Sequence, residues 1–165
     1  MIVAKPRSRE KIREIADMVR SVCKGACFPV VHFLEYVMPQ IDDDFIFRVV
    51  ENSELPDCMA KTIPKEKMIL VREDVYNGAI AGNGRDRFTL AHEIGHYFLH
   101  QDIEVAYHRR DENLEPYKKP EWQANVFAAE LLMSREAIRN MSIDEIVRKC
   151  KVSYKAAQIQ KSYAN

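Results

Sequence analysis

A histidine pair near the middle of the chain has the spacing of a metal-binding motif. His92, Glu93 and His96 form an H-E-x-x-H pattern in an apolar helical stretch that follows a predicted strand and loop. Residues four apart lie about one turn apart on the same helix face, so both imidazoles can bind one zinc ion. Glu93 can lean over the open position of the ion and accept a proton from water, whose pKa zinc lowers. The alternative is a chance match between core or exposed histidines, but the helical context favours a zinc site with Glu93 as the general base.

A catalytic zinc takes three protein ligands and keeps one position for water, so the pattern needs a third residue. His100 continues the four-residue spacing. At about 1.5 Å of rise per residue, however, it lies roughly 12 Å along the helix axis from His92, which is too far for one ion on a straight helix. We therefore predict that His100 supports the metal ligands or the fold and does not bind the ion.

Glu121, on a second predicted helix, is the expected third ligand. Asn125 follows it by four residues and is predicted to orient a histidine ring through a hydrogen bond. Glu121 alone also fits a first-turn glutamate, which the helix dipole favours. Glu130 lies on the same helix, but nine residues at about 100° each place it half a turn away. Because the face of Glu121 also carries the small Ala124, which lets the helices approach, Glu121 and not Glu130 is predicted to bind zinc.

The surrounding sequence predicts an α+β fold that is mostly helical and has one short sheet. Two helices come first, over residues 8–24 and 28–38, and Pro39 ends the second. Strands are predicted at 45–50, 68–71 and, more weakly, 60–63. The later elements are a glycine-marked loop at 78–84, the metal-motif helix at 86–100, and helices at 121–133, 134–140, 143–150 and after Ser153.

Length and charge predict one cytoplasmic domain. A chain of 165 residues buries one core, and we predict a single domain over 1–165, with N-terminal helices at 1–40, the catalytic core at 45–134 and C-terminal helices at 135–165. Lys and Arg number 25, as do Asp and Glu, so no net field draws the protein to nucleic acid or anionic lipid. The N-terminus shows no apolar signal segment, and no run approaches the roughly 18 apolar residues of a membrane span.

The cysteines lack the spacing of a metal or redox site. No two of them form a C-x-x-C pair, and in a cytoplasmic chain thiols stay reduced. We predict free thiols or core residues at Cys23, Cys27, Cys58 and Cys150.

The two motif helices together resemble the paired signature of the ImmA/IrrE metallopeptidases. The first runs Arg87-Phe-Thr-Leu-Ala-His-Glu-Ile-Gly-His-Tyr-Phe-Leu-His100 and the second Glu121-Trp-Gln-Ala-Asn-Val-Phe-Ala-Ala-Glu-Leu-Leu-Met133, and a weaker likeness extends from Met68 to the C-terminus. The resemblance implies a small zincin-like domain with a short three-stranded sheet beside the motif helix and a C-terminal helical bundle. It also implies a gluzincin-like site, with zinc on two His and a Glu. Relatives cleave helix-turn-helix repressors, so the implied partner is a repressor of a mobile element or a stress response.

Two functions are consistent with the sequence. The first is a zinc-dependent endopeptidase that acts on a repressor, and the second is a non-proteolytic zinc-containing regulatory protein that binds a repressor or DNA through its C-terminal helices. Residues 143–159 do have a helix-turn-helix pattern. They belong to the segment 134–165, which contains seven Lys or Arg residues and three Asp or Glu residues. Such helical hairpins are more often core packing, so direct binding of nucleic acid is not expected. A structural zinc site has no use for a carboxylate beside an open position, so Glu93 favours hydrolysis.

The segment 101–119 is polar, without periodicity and too long for an ordinary connection, which indicates a mobile or functional loop. Its residues 107–110 are candidates to stabilise a developing oxyanion. An exposed polar loop is the simpler interpretation of the same residues.

Overall fold

The sheet has three strands, and the last of them in the chain lies in the middle. The computed structural model describes residues 4–102 and 115–164. Within them the strands are β1 (Ile46–Val50), β2 (Ala60–Ile63) and β3 (Met68–Arg72). β3 lies between the other two, parallel to β1 and antiparallel to β2. Side chains alternate along a strand, so Ile69 and Val71 of β3 enter the core, where neither is exposed. Because β3 lies in the middle, β2 is an edge strand.

Helices make up most of the rest of the described chain. Polar caps begin several of them: the side chains of Ser8, Asn83, Ser142 and Ser153 each accept a hydrogen bond from a first-turn amide. The helical segments are α1 (Arg9–Arg20), α2 (Val30–His32), α3 (Met38–Ile41), α4 (Glu73–Ile80), α5 (Gly84–Leu99), α6 (Pro120–Leu132), α7 (Arg135–Ile138), α8 (Ile143–Cys150) and α9 (Tyr154–Tyr163).

The helices α5 and α6 pack closely because small residues lie at their crossing. A Cβ added at Gly95 of α5 would lie 3.2 Å from the Cα of Ala124 and 3.1 Å from the ring of Phe127. Ala124 and Phe127 of α6 are themselves fully buried. On its other sides α5 contacts β2 and β3, and α6 contacts α1. The metal-motif helix is therefore held between the sheet and a second helix, which is the arrangement that the sequence predicts.

The α+β class and the short three-stranded sheet beside the motif helix are confirmed. The four cysteines are free thiols, as predicted. The division of the chain at 1–40, 45–134 and 135–165 stays a prediction.

Two local predictions had the wrong bounds. Pro39 does not end the second helix, because a π-helical turn at Phe33–Val37 precedes it and the helix continues to Ile41. In that turn the amide of Met38 donates to the carbonyl of Phe33, five residues back, and such wider turns accommodate a residue that has no N–H. The predicted loop at 78–84 is shorter than expected, because α4 continues to Ile80 and α5 begins at Gly84, which leaves a turn at 81–83. Gly78 lies inside α4, and the carboxylate of Asp86 occupies the space where a Cβ of residue 78 would lie.

Candidate metal centre

The two histidines of the motif meet the glutamate of the second helix. His92 Nε2 lies 2.9 Å from Glu121 Oε2, and His96 Nε2 lies 2.9 Å from Glu121 Oε1. The two Nε2 atoms are 3.0 Å apart. The structure therefore brings the three predicted ligands into one group, and their ligand atoms all lie within 4.8 Å of one another. Ligand atoms bound to tetrahedral zinc at 2.0–2.1 Å are separated by about 3.3 Å, so the spacing suits a small divalent ion.

A chain of hydrogen bonds determines which nitrogen of His96 carries the proton. The side-chain amide of Gln123 donates to the carbonyls of Lys5 and Tyr117, at 2.9 and 2.6 Å, which turns Gln123 Oε1 towards His100. His100 Nε2, 2.9 Å from that oxygen, must donate to it. His100 Nδ1 then has no hydrogen and accepts from His96 Nδ1, 2.8 Å away. His96 consequently presents the lone pair of Nε2 to the group.

The lone pair of His96 Nε2 faces Glu121 Oε1, a carboxylate oxygen that carries no proton. Among the described residues no hydrogen bond reaches Glu121 Oε1, although the atom is buried and lies 2.9 Å from His96 Nε2. Two acceptors facing each other at this distance repel unless a cation lies between them. A donor set of two imidazole nitrogens and one carboxylate is one that zinc commonly binds. The residues present therefore fit a divalent metal ion.

His92 has its own orienting partner. Its Nδ1 lies 2.8 Å from Oδ1 of Asn125, the residue predicted to orient a histidine ring. A donor at Nδ1 leaves Nε2 of His92 free to bind an ion. Asn125 and His100 thus contact one histidine each, and both contacts lie on the side away from Glu121.

Glu93 is buried and is held by the edge strand. Its side chain is 3% exposed. The hydroxyl of Thr62, on β2, lies 2.5 Å from Glu93 Oε2 and 3.0 Å from the carbonyl oxygen of Glu93. Thr62 is buried as well, so water does not compete for this contact. The strand therefore positions the carboxylate that follows the first histidine.

The sequence from residue 76 to residue 160 matches the model of the IrrE N-terminal-like domain, a peptidase family. The match spans more than half of the chain and includes both motif helices. The chain belongs to this family. No curated protein matches it significantly. The family membership supports a metallopeptidase-type function, and the His92, His96 and Glu121 group of this IrrE-like domain is compatible with a metal ion.

Burial and charge set the protonation of the IrrE-like centre. Burial, with the neighbouring His96, lowers the pKa of His100 to about 3, so its ring is neutral at physiological pH. Burial also acts to lower the pKa of His92, but the carboxylates of Glu121 and Glu93 outweigh it and raise the pKa above its ordinary value. Burial would raise the pKa of Glu121, but its contact with His92 holds the pKa far below the usual range. Glu121 is therefore a carboxylate, which is the form that binds metal.

Glu130 lies apart from the metal group, on the opposite side of α6. It is completely buried and accepts hydrogen bonds from Arg135 at 2.7 and 3.0 Å and from Gln160 at 3.0 Å. Its position agrees with the half-turn offset from Glu121 that the sequence predicts. The oxyanion candidates at 107–110 lie outside the described residues.

Thr62 and Gln123 support the metal group but are not predicted from the sequence. Thr62 lies on a weakly predicted strand far from the motif, and nothing in its local sequence connects it with Glu93. Gln123 carries a signal, since a glutamine in a helix rich in apolar residues needs hydrogen-bond partners if it is buried. One partner, the carbonyl of Tyr117, is six residues away in the chain, but the other, the carbonyl of Lys5, comes from a distant segment.

None of the described helices is long and apolar enough to cross a membrane.

Proposed function

We propose that this protein is a zinc-dependent endopeptidase that hydrolyses a peptide bond in a protein partner, a helix-turn-helix transcriptional repressor. One observation carries the proposal: a buried carboxylate, Glu93, lies in the helix turn between two histidines whose Nε2 atoms meet a third ligand. The resemblance to ImmA/IrrE proteins, whose members cleave repressors, supports the choice of substrate. His92, His96 and Glu121 would hold the zinc.

Zinc bound by these residues would lower the pKa of a water molecule and polarise the scissile carbonyl. Glu93 is the residue that accepts the proton of the attacking water and later returns it to the leaving amine. The hydroxyl of Thr62 holds one oxygen of Glu93, which leaves the other oxygen to take the proton. Burial keeps bulk water from solvating the carboxylate, so the proton passes only between the attacking water, Glu93 and the leaving amine.

The ligand count supports hydrolysis over a structural role. Structural zinc is usually closed by four protein ligands, whereas the described residues offer three in this group. An ion held by these three residues would keep a fourth position for water, on which Glu93, the residue after His92, would act. A purely structural site has no need of a buried carboxylate at that place.

The second candidate is a zinc-containing regulatory protein that binds a repressor or DNA without cutting it. The observation that favours it is the pair α8 and α9, joined by a short turn in which Lys151 has a positive φ of 53°. This pair has the order of a helix-turn-helix unit. Its first helix buries Ile146 and Cys150 and its second Ala157, so it also serves as a packing unit of the core.

The experiment that separates the two candidates replaces Glu93 by Gln. The amide keeps the shape of the side chain but cannot accept a proton. We expect one zinc per molecule in both proteins by metal analysis, and cleavage of a purified repressor encoded beside the gene only by the parent. Glu136→Gln, a change at an exposed glutamate of α7, is the matched control and should cleave normally. Equal cleavage by Glu93→Gln and the parent, or a protein without bound metal after zinc repletion, would contradict the proposal.

A further inference from the structure

A groove of about 580 Å³ lies beside the metal group, between α5, α6 and α9. Its wall is largely apolar, and the large side chains that line it include Phe88, Trp122, Val126 and Ile159. Ile159 is 51% exposed, so its side chain is accessible to a ligand in the groove. The volume falls within the range of about 300–1,000 Å³ that is usual for binding sites. Neither Glu93 nor any of the three candidate metal ligands lines this groove, which is called the flank groove below.

The flank groove is continuous with the metal group. Asn125 lines it and at the same time contacts Nδ1 of His92. On α5, Arg85 and Thr89 line the groove, and they precede His92 by seven and three residues. These spacings place them on the helix face that carries the histidine. A chain that leaves the metal group along α5 therefore enters the flank groove within about one turn, or roughly 5.4 Å.

The charges at the rim of the flank groove are positive. Arg9, Arg85 and Lys155 are among its lining residues, and none of the lining residues in the described parts of the chain is Asp or Glu. Arg9 is partly engaged, since its guanidinium lies 3.9 Å from the ring centre of Tyr163 and 3.9 Å from the buried Glu130. Arg85 and Lys155 are exposed. The groove thus offers an apolar surface bordered by exposed cations, in a protein whose net charge is zero.

We propose that the flank groove binds a segment of the polypeptide substrate in which apolar side chains are flanked by carboxylates. The inference rests on the proposed function, because the segment would adjoin the bond that is cut. The apolar side chains of the bound segment contact Trp122 and Ile159, and its carboxylates pair with Arg85 and Lys155 at the rim. Buried tryptophan and arginine are the residues that most often dominate binding at such surfaces. DNA fits less well, because a concave apolar surface offers its phosphates few contacts.

The test measures binding without cleavage. Full-length protein carrying Glu93→Gln is loaded with zinc and titrated against fluorescein-labelled twelve-residue peptides at physiological salt, with fluorescence anisotropy as the readout. The first peptide alternates pairs of Leu with pairs of Glu. The second has Lys in place of each Glu, and the third has Ser in place of each Leu. We expect the first to bind at least about tenfold more tightly than either of the others, because only it satisfies both the apolar wall and the charged rim.

Charge reversal identifies the surface. Lys155→Glu and Arg85→Glu should each weaken the acidic peptide about five- to tenfold, and Ile159→Glu should do so at least as strongly. Lys149→Glu, at an exposed lysine of α8 outside the groove, is the matched control and should leave binding unchanged. All four positions are exposed, so the folded state tolerates the changes. Circular dichroism of each variant checks this.

Three results would overturn the inference. The first is equal binding of the acidic and basic peptides, and the second is equal weakening of peptide binding by Lys149→Glu and Lys155→Glu. The third is that duplex DNA displaces the peptide and that Lys155→Glu weakens DNA binding as much as peptide binding. The outcome is separate from that of the proposed function. If the groove variants change peptide binding as expected but the parent protein cuts no repressor, the peptidase proposal fails and the groove remains a peptide site. If the parent cuts and the groove variants cut and bind equally well, only the groove inference fails.

Discussion

Replacing Glu130 by Ala should destabilise the fold without affecting metal binding. The carboxylate is fully buried and holds Arg135 through two hydrogen bonds to one oxygen, while Gln160 donates to the other oxygen. Removing it leaves Arg135, whose side chain is only 11% exposed, without its main partner. The perturbed group lies on the opposite side of α6 from Glu121, so zinc affinity should stay as in the parent.

The size of the effect follows from the burial of the pair. Breaking a buried ion pair by removing one partner costs about 3–5 kcal/mol. The lower end applies here, since Arg135 keeps a second contact with the exposed Glu10 at 3.0 Å and can reach water from there. A loss of about 3 kcal/mol in a domain of 150–250 residues lowers the midpoint of thermal unfolding by about 6–12 °C.

Thermal unfolding followed by circular dichroism, together with zinc titration against a chelator, measures both quantities. Glu136→Ala is the matched control, because this exposed glutamate of α7 should change stability by less than about 0.5 kcal/mol. An unfolding midpoint within two degrees of the parent, or a loss of zinc affinity with the fold intact, would refute the assignment of Glu130 as a structural residue.

Three further changes test the metal group itself. Glu121→Ala should weaken zinc binding more than about 100-fold by chelator competition, beyond the effect of replacing a supporting residue, and unchanged affinity would exclude it as a ligand. Thr62→Val should lower kcat about tenfold with KM and zinc content unchanged, because Glu93 loses the bond that positions its carboxylate; a change in KM alone would argue against this role. His100→Phe should weaken zinc binding about 10–100-fold, since the second histidine ligand loses its acceptor, and full affinity would show that the contact is incidental.

The parts of the centre that the sequence predicts are those encoded by local spacing. The four-residue interval between His92 and His96 places both rings on one face of α5. The helical angle between Glu121 and Glu130 separates a metal-facing glutamate from a structural one, and the structure shows this separation. Both inferences need only the geometry of a single helix, which the sequence specifies through its apolar periodicity.

The parts that escaped prediction depend on contacts between distant segments. Thr62 reaches Glu93 only because β2 lies at the edge of the sheet next to α5. Gly78 is typical of a turn, although it lies inside α4, close to Asp86 of the next helix. At Pro39 the difference is local, because the preceding π turn accommodates a proline that is typical of a helix end.

The support of the metal group extends beyond the region that defines the family. The backbone amide of Ala4 donates to the carbonyl of Lys118 at 3.0 Å, which keeps the N-terminal segment against the start of α6. There the carbonyl of Lys5, with that of Tyr117, fixes the amide of Gln123 and so determines the proton positions on His100 and His96. Lys5 lies outside residues 76–160, the range that matches the family, as does Thr62. The candidate ligands and Glu93 lie in the matched region, but Lys5 and Thr62, which help to orient them, come from the N-terminal half of the chain.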